Sequence, residues 1–200
     1  MMATSLLREY IRELLTESVD PRIMKQIDKA EEMGCKVVIV DTGGYGIAEI
    51  VQGEEGYSDF FTIAKVSWTY NDGQFGECNK AAYVQKSNAH DGLGPLAYDV
   101  AIEVSGGLMP DRTEVSDSAE SVWKNYMNSR ADVQQDQLDI HDDYGYSQLT
   151  PDNPDDDCDQ IPATQKYKGD WHKSALSKAY FKSGTPVVDE LRKRGMLIEK

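Results

Sequence analysis

Apolar positions follow two rhythms along this chain. Leu6, Leu7, Tyr10, Ile11, Leu14 and Leu15 recur every three or four residues, with Glu and Arg between them. One stripe of that spacing predicts a short amphipathic helix, with Ser5 as its cap. Residues 18–21 break it. Residues 22–32 read as another helix, stopped by Gly34. The rhythm then changes. Residues 37–40 are a β-branched run, residues 48–52 a second short strand, and residues 60–70 alternate as a third. Asn71-Asp72-Gly73 is a hairpin signal, and the strand returning from it is placed at residues 78–87. Residues 92–105 are helical, with Leu93, Leu96, Ala97, Val100, Ala101 and Val104 on one face and Gly106-Gly107 as the stop. Leu108-Met109 makes a short strand. Ser116 opens a further helix that turns Val122, Trp123, Tyr126 and Met127 inward. Residues 179–182 form a late strand, and Pro186 starts a last helix closed by Gly195. The expected fold is α/β (α+β): a mostly antiparallel central sheet flanked by helices over residues 22–200, with residues 1–17 as a separate N-terminal helix.

Residues 132–165 depart from both rhythms. They hold ten aspartates and no glutamate, lysine or arginine. They are expected to be a long irregular insertion, solvated and mobile. Two other readings stand beside that one. Asp152, Asp155, Asp156, Asp157 and Asp159 could hold a hard cation such as calcium, although the Asp-x-Asp-x-Asp-Gly pattern is missing. The segment could also be a lid that attracts a basic amine. The expectation is no metal site. His90, His141 and His172 have no His or Cys at ligand spacing.

Charge narrows the partners. Twenty-one Lys and Arg against 35 Asp and Glu leave a formal charge of −14 over 200 residues. Such a chain is repelled by nucleic acid and by anionic membrane surfaces, and it weakly favours basic partners or amine substrates. No run of eighteen apolar residues is present, and residues 1–17 lack the apolar block of a secretory signal, so neither a membrane span nor secretion is expected. Cys35, Cys78 and Cys158 are far apart and odd in number, which predicts reduced thiols in a cytosol-like compartment. Carboxylates around Cys158 should raise its thiol pKa and keep it from acting as a nucleophile.

The N-terminal helix has two readings. It is either a terminal helix docked on the domain or a detachable sorting peptide. The second rests on a resemblance: the segment resembles the capsid-targeting propeptides of large tailed phages, which end in Leu-x-Glu or Ile-x-Glu at a protease site. Leu15-Thr16-Glu17 stands where such a site would be. The resemblance implies a virion origin, cleavage after Glu17, virion proteins as partners, and a location in the host cytoplasm or the virion.

The chemistry is concentrated where the strand of residues 78–87 runs into Gly92-Leu93-Gly94 and the following helix. Two glycines let backbone amides approach a ligand, and a helix N-terminus adds unpaired donors and a positive dipole end. That makes an anion cradle without basic side chains. It is equally the pattern of a plain strand-to-helix turn. The dinucleotide fingerprint is not met, because Ala97 stands where the third glycine belongs. The order of elements resembles the GCN5-related N-acetyltransferase family. That family's Arg/Gln-x-x-Gly-x-Gly/Ala segment corresponds to Ala89-His90-Asp91-Gly92-Leu93-Gly94, and Pro95-Leu96-Ala97-Tyr98-Asp99 resembles its following helix. The likeness covers residues 78–130, and the flanks only by element order. It implies acetyl-CoA as cofactor and transfer of an acetyl group to an unidentified small-molecule or protein amine. It further implies a pyrophosphate on the turn amides and a pantetheine along the strand, with Val84, His90, Asp91, Gly92, Leu93, Gly94 and Pro95 as the binding residues. This sequence departs from the pattern in three ways. Ala89 stands at the Arg/Gln position. Trp123 stands where the catalytic phenol would be, which leaves Tyr126, one turn on, as the expected acid. No general base is fixed by spacing. The competing reading is a non-catalytic virion protein that keeps the fold.

Overall fold

The computed structural model describes residues 18–53, 61–141 and 145–200. The N-terminal helix and the Leu15-Thr16-Glu17 site lie outside these residues. Helix α1 (Pro21–Glu32) begins where Asp20 accepts the Arg22 amide at 2.8 Å and Pro21 presets the first turn; it buries Ile23, Ile27 and Ala30 at a spacing of three and four. Strands β1 (Cys35–Asp41), β2 (Tyr45–Gln52) and β3 (Phe61–Thr69) then form an antiparallel meander, and β4 (Ala82–Ala89) adds to β3. In β2, Gly46 is required by packing: a Cβ there would run into the buried Trp68 ring.

Helix α2 (Gly94–Ser105) leads to the two-residue β5 (Leu108–Met109), which pairs in parallel with the start of β4. Helix α3 (Asp117–Ser129) is capped by Ser116, whose hydroxyl accepts the Ala119 amide. Next come β6 (Gln134–Gln137), helix α4 (Ile161–Tyr167), β7 (Lys178–Phe181), helix α5 (Pro186–Lys193) and β8 (Leu197–Glu199). The sheet order is β6-β7-β5-β4-β3-β2-β1-β8. The α+β class stands, but the sheet is mixed. The β4–β5 and β1–β8 pairs are parallel, and the expectation of a mostly antiparallel sheet is corrected to that extent.

Alternation along the strands explains two cores. Ala82, Val84, Leu108 and Tyr180 join the main core beneath the helices. Their neighbours Ala81, Met109 and Ala179 point to the other face, into a smaller cluster with Phe75 and Leu138. Residues 132–165 supply much of what covers that second face. The described residues of this segment, 132–141 and 145–165, are therefore not a solvated, mobile loop: they contribute an edge strand, a short helix and buried residues among them Leu138, Ile140 and Cys158. The connection from β3 to β4 is no tight hairpin at Asn71-Asp72-Gly73. It runs to residue 81 and passes Cys78, Asn79 and Lys80 in the left-handed region, with φ of 50°, 52° and 60°. Cys78 and Cys158 form a disulfide that ties this connection to the acidic segment, and Cys35 alone is a free, buried thiol. The expectation of three reduced cysteines is corrected. The two residues share the small core, which brings together sulfurs 80 residues apart.

Glu120 links α3 to α4. It is almost wholly buried and accepts from Lys124, Lys166 and the Tyr167 hydroxyl. Burial pushes its carboxyl up, but these donors outweigh burial and hold it at about 2, against an ordinary 4.5. A depressed carboxyl stabilises the fold above its unfolded pKa and loses that contribution as pH falls through the folded one. Stability should therefore drop between pH 4.5 and 2. In Glu120→Gln the drop over that window should be shallower, with stability at pH 7 lower by about 1–3 kcal/mol. Urea titrations at pH 7, 4 and 2.5 check this; parallel curves for the two proteins would exclude Glu120 as the source.

Candidate functional site

β4 and β5 part after two residue pairs, Ala82 with Leu108 and Tyr83 with Met109. Beyond Tyr83, β4 keeps β3 on one edge while no strand pairs with its other edge among the described residues. The chain after β5 turns aside because Asp111 gathers the Thr113 and Glu114 amides and the Thr113 hydroxyl on one carboxylate oxygen. The fully buried Arg112 pins that turn through the carbonyls of Pro110, Asp159 and Leu176, and burial lowers its guanidinium to about 10. The result is a cleft of about 260 Å³. One wall is β4 from Val84 to Ser87. The other is the turn from Asp111 to Ser116, with Ala119 and Trp123 of α3. A register shift at Ser67/Trp68 leaves Gln85 as an extra residue in β4, in the cleft wall. Bulges of this kind re-aim backbone groups beside functional sites.

The cleft also contains a phenol. Tyr98 of α2 donates its hydroxyl to Ser87 Oγ at 2.9 Å, and burial raises its pKa. Tyr126, the acid expected from the sequence, is elsewhere. It is 1% exposed and gives its hydroxyl to Asp99 Oδ1 at 2.7 Å. Burial and the Asp99 charge push its pKa well above the ordinary value. It does not line the cleft. The structure thus brings Trp123 and Tyr98 to the cleft and leaves Tyr126 behind α2. Ser87, Tyr98, Thr113 and Glu114 were missed as site residues by spacing alone.

Beyond the end of β4, His90, Asp91 and Gly92 are exposed, with Asp91 at φ +54° and Gly92 at φ +72°. Those left-handed angles fold the strand end back onto the helix start. The amides of Asp91, Gly92 and Gly94 have no hydrogen-bond partner among the described residues. Three neighbours differ from the expectation. The Leu93 amide is used internally, on the His90 carbonyl, and the Leu93 side chain is in the core. Pro95 has no amide hydrogen. Leu96 N–H is taken by Gln26 Oε1 of α1 at 2.9 Å. Lys29, from the same helix, donates to the Asp91 carbonyl at 2.5 Å and brings one positive charge to the turn.

Behind the cleft lies a buried ionic cluster. Asp99 accepts two bonds from Arg130, at 2.9 and 2.6 Å, and one from Lys182 at 3.0 Å. Arg130 also pairs with Asp132, and Lys182 with Glu103. Glu103 caps α5 by accepting the Val187 and Val188 amides. Burial opposes ionisation of Asp99, but Lys182, Arg130 and Tyr126 outweigh it and lower its pKa; for Glu103 burial prevails and the pKa is raised. The cluster fixes α2 against α3, β7 and α5, and so sets the angle at which Tyr98 meets the cleft.

No helix among the described residues is long and apolar enough to cross a membrane. Set against protein-family models, curated proteins and solved structures, the chain finds no match in any of the three.

Proposed function

We propose that this chain binds acetyl-CoA along β4 and transfers the acetyl group to an amine. The parting of β4 from β5 carries the reading. It leaves a backbone edge without a strand partner in a cleft walled by Val84 to Ser87, and β4 runs on from there to the turn that holds the amides of Asp91, Gly92 and Gly94. An extended pantetheine arm takes such an edge as an added strand would, and its pyrophosphate takes the amides at the start of α2. Lys29 offsets part of the Asp91 charge there. When bound, acetyl-CoA supplies an activated thioester carbonyl. An amide of β4 near Gln85 polarises that carbonyl. Glu114, exposed at the rim, accepts the proton that the attacking amine loses, and Tyr98, poised on Ser87, gives a proton to the departing thiolate.

Ala119 gives the cleaner test. At Gly94 a side chain would press on Ala89, 3.1 Å from the added Cβ, and disturb the turn itself. Ala119→Trp fills the cleft from a helix surface and leaves the turn alone. Titration calorimetry should give a micromolar Kd for acetyl-CoA, weakened at least tenfold in Ala119→Trp, and Tyr98→Phe should bind normally while losing about 10²–10⁴ in rate. No heat from the wild type at millimolar ligand, or equal affinity in Ala119→Trp, sinks the proposal.

One observation favours a second reading in which the fold is kept without cofactor or catalysis, as it would be in the virion protein that the N-terminal resemblance implies. Gln26 occupies the Leu96 amide at the head of α2, where an anion would otherwise be received. On that reading Gln26→Ala leaves acetyl-CoA binding undetectable; on the first it leaves binding intact or tighter.

A further inference from the structure

The acidic segment folds back on itself at Asp139. Asp139 N–H donates to the Asp156 carbonyl at 2.8 Å, and Cys158 N–H donates to the Asp139 carbonyl at 3.1 Å. This pairing sets three carboxylates side by side: oxygens of Asp139, Asp156 and Asp157 lie within 4.8 Å of one another. No ion pair reaches any of the three among the described residues, and residues 132–165 contain no lysine or arginine. His141 is the one basic group whose charge acts on Asp157.

Their hydrogen bonding is uneven. Asp139 accepts the amides of Ile140, Leu149 and Thr150, which lock its carboxylate in place. Asp156 is 8% exposed; its Oδ2 accepts the Thr150 hydroxyl at 2.8 Å, while its Oδ1 is buried with no partner. Gln160, 1% exposed, donates Nε2 to the Asp139 carbonyl, and its Oε1 is likewise buried with no partner. Apart from the Trp68 indole nitrogen, these two oxygens are the only buried side-chain polar atoms without a partner among the described residues. Buried acceptors normally find donors, and an unpaired one, above all on a carboxylate, is expensive. Here both missing donors are wanted in one stretch of chain, beside three like charges.

We propose that Asp156 and Asp157, with Asp139, hold one hard divalent cation of the calcium type. The protein donors are all oxygen, and water completes the shell. Oxygens up to 4.8 Å apart are spanned by a cation with bonds of about 2.4 Å, whereas magnesium, at about 2.1 Å, draws its ligands closer. Asp139 supplies charge and one oxygen from a locked position. Asp156 Oδ1 gains the partner it lacks. The disulfide at Cys158 closes the neighbouring turn and keeps the pairing in register. The site is independent of the acetyl-CoA reading.

The test uses the intact, oxidised chain, stripped with EDTA and then titrated with calcium chloride, with magnesium chloride and sodium chloride as controls for charge screening. Calcium at millimolar concentration should raise the Tm by several degrees and release measurable heat; magnesium should do much less and sodium nothing. Asp157→Asn should lose the response yet melt no lower than wild type in EDTA, since it removes repulsion. The exposed pair Asp152→Asn/Asp155→Asn should keep it. Asp156→Asn should lose it too, and if that variant folds poorly, terbium luminescence on Asp157→Asn gives the same answer. No shift and no heat in the wild type at 10 mM calcium overturns the proposal. An equal effect of magnesium, or an Asp157→Asn response like that of wild type, does so as well.

Discussion

Asp99→Ala should cost about 3–5 kcal/mol and lower the Tm by roughly 6–20 °C. The size follows from what it leaves behind. Asp99 is wholly buried and receives Arg130, Lys182 and the Tyr126 hydroxyl. Without it, two cations whose side chains are 1% exposed share Asp132, Glu103 and the more distant Asp20, 3.5 Å from Arg130, and Glu103 is already divided between Lys182 and the first amides of α5. Removing one partner of a buried pair leaves an uncompensated charge, which is why the loss exceeds the net worth of the pair. Asp99→Asn should fall between the two, since it keeps an acceptor and loses the charge. A double-mutant cycle with Lys182→Met adds a sharper readout. The double variant should be at least about 1 kcal/mol more stable than the sum of the single losses predicts, because Lys182 is stranded only while Asp99 is missing. Thermal and urea unfolding measure all four proteins. An Asp99→Ala melt within 2 °C of wild type, or additivity in the cycle, would show that the cluster does not hold α2 in place.

The elements legible from sequence were those whose neighbours enforce a single period. β1 to β4 alternate or carry β-branched runs because one face meets the helices. α3 repeats at three and four because one stripe of it is buried, whereas α2 is buried all round from Leu96 to Glu103 and shows as an apolar run between Gly94 and Gly106. What escaped has physical reasons. β6 is Gln134-Gln135-Asp136-Gln137, an edge strand with no apolar side chain to alternate. β8 is three residues long and joins the sheet by pairing with β1. α4 opens with Ile161-Pro162, and in a stretch so rich in aspartate the proline reads as a breaker rather than as a first-turn residue. The parallel β4–β5 pair, which opens the cleft, rests on two residues that no pattern distinguishes from an antiparallel contact.

At the site, the glycine turn was placed by sequence but its partners were not. The Gln26 amide contact crosses 70 residues, and no local signal announces it. Counting along α3 from Ser116 points to Tyr126 as the phenol. That helix turns Trp123 to the cleft and Tyr126, three residues on, toward Asp99. The phenol in the cleft comes from α2 instead, four residues after Gly94. The available signal is the serine that receives it: Ser87 lies on β4 just before the turn, where a residue one turn into the helix can reach back.

Replacing both Cys78 and Cys158 by serine should destabilise the protein by about 2–4 kcal/mol, a Tm loss of about 4–16 °C. The bridge closes a long loop, with 80 residues between its ends in sequence, so its removal restores much entropy to the unfolded chain. A second contribution comes from the folded side. Cys78, Asn79 and Lys80 are all left-handed, a conformation that costs about 1–2 kcal/mol for each residue with a side chain. They are held there by the bridge and by the Cys78 amide on the Asp157 carbonyl. Releasing the bridge lets this turn relax, which offsets part of the loss, but loosens the small core of Phe75, Met109 and Leu138, while the helices over the main core keep their contacts. Amide exchange should therefore accelerate first at residues 75–81, 138–141 and 145–158 and stay slow in β1 to β3. A reducing agent should reproduce the double variant in the wild type and do nothing further to the variant. Uniform acceleration across the sheet would show instead that the acidic segment and the main core unfold as one unit. An unchanged Tm on reduction would show that the Asp139 pairing secures the second face without the bridge.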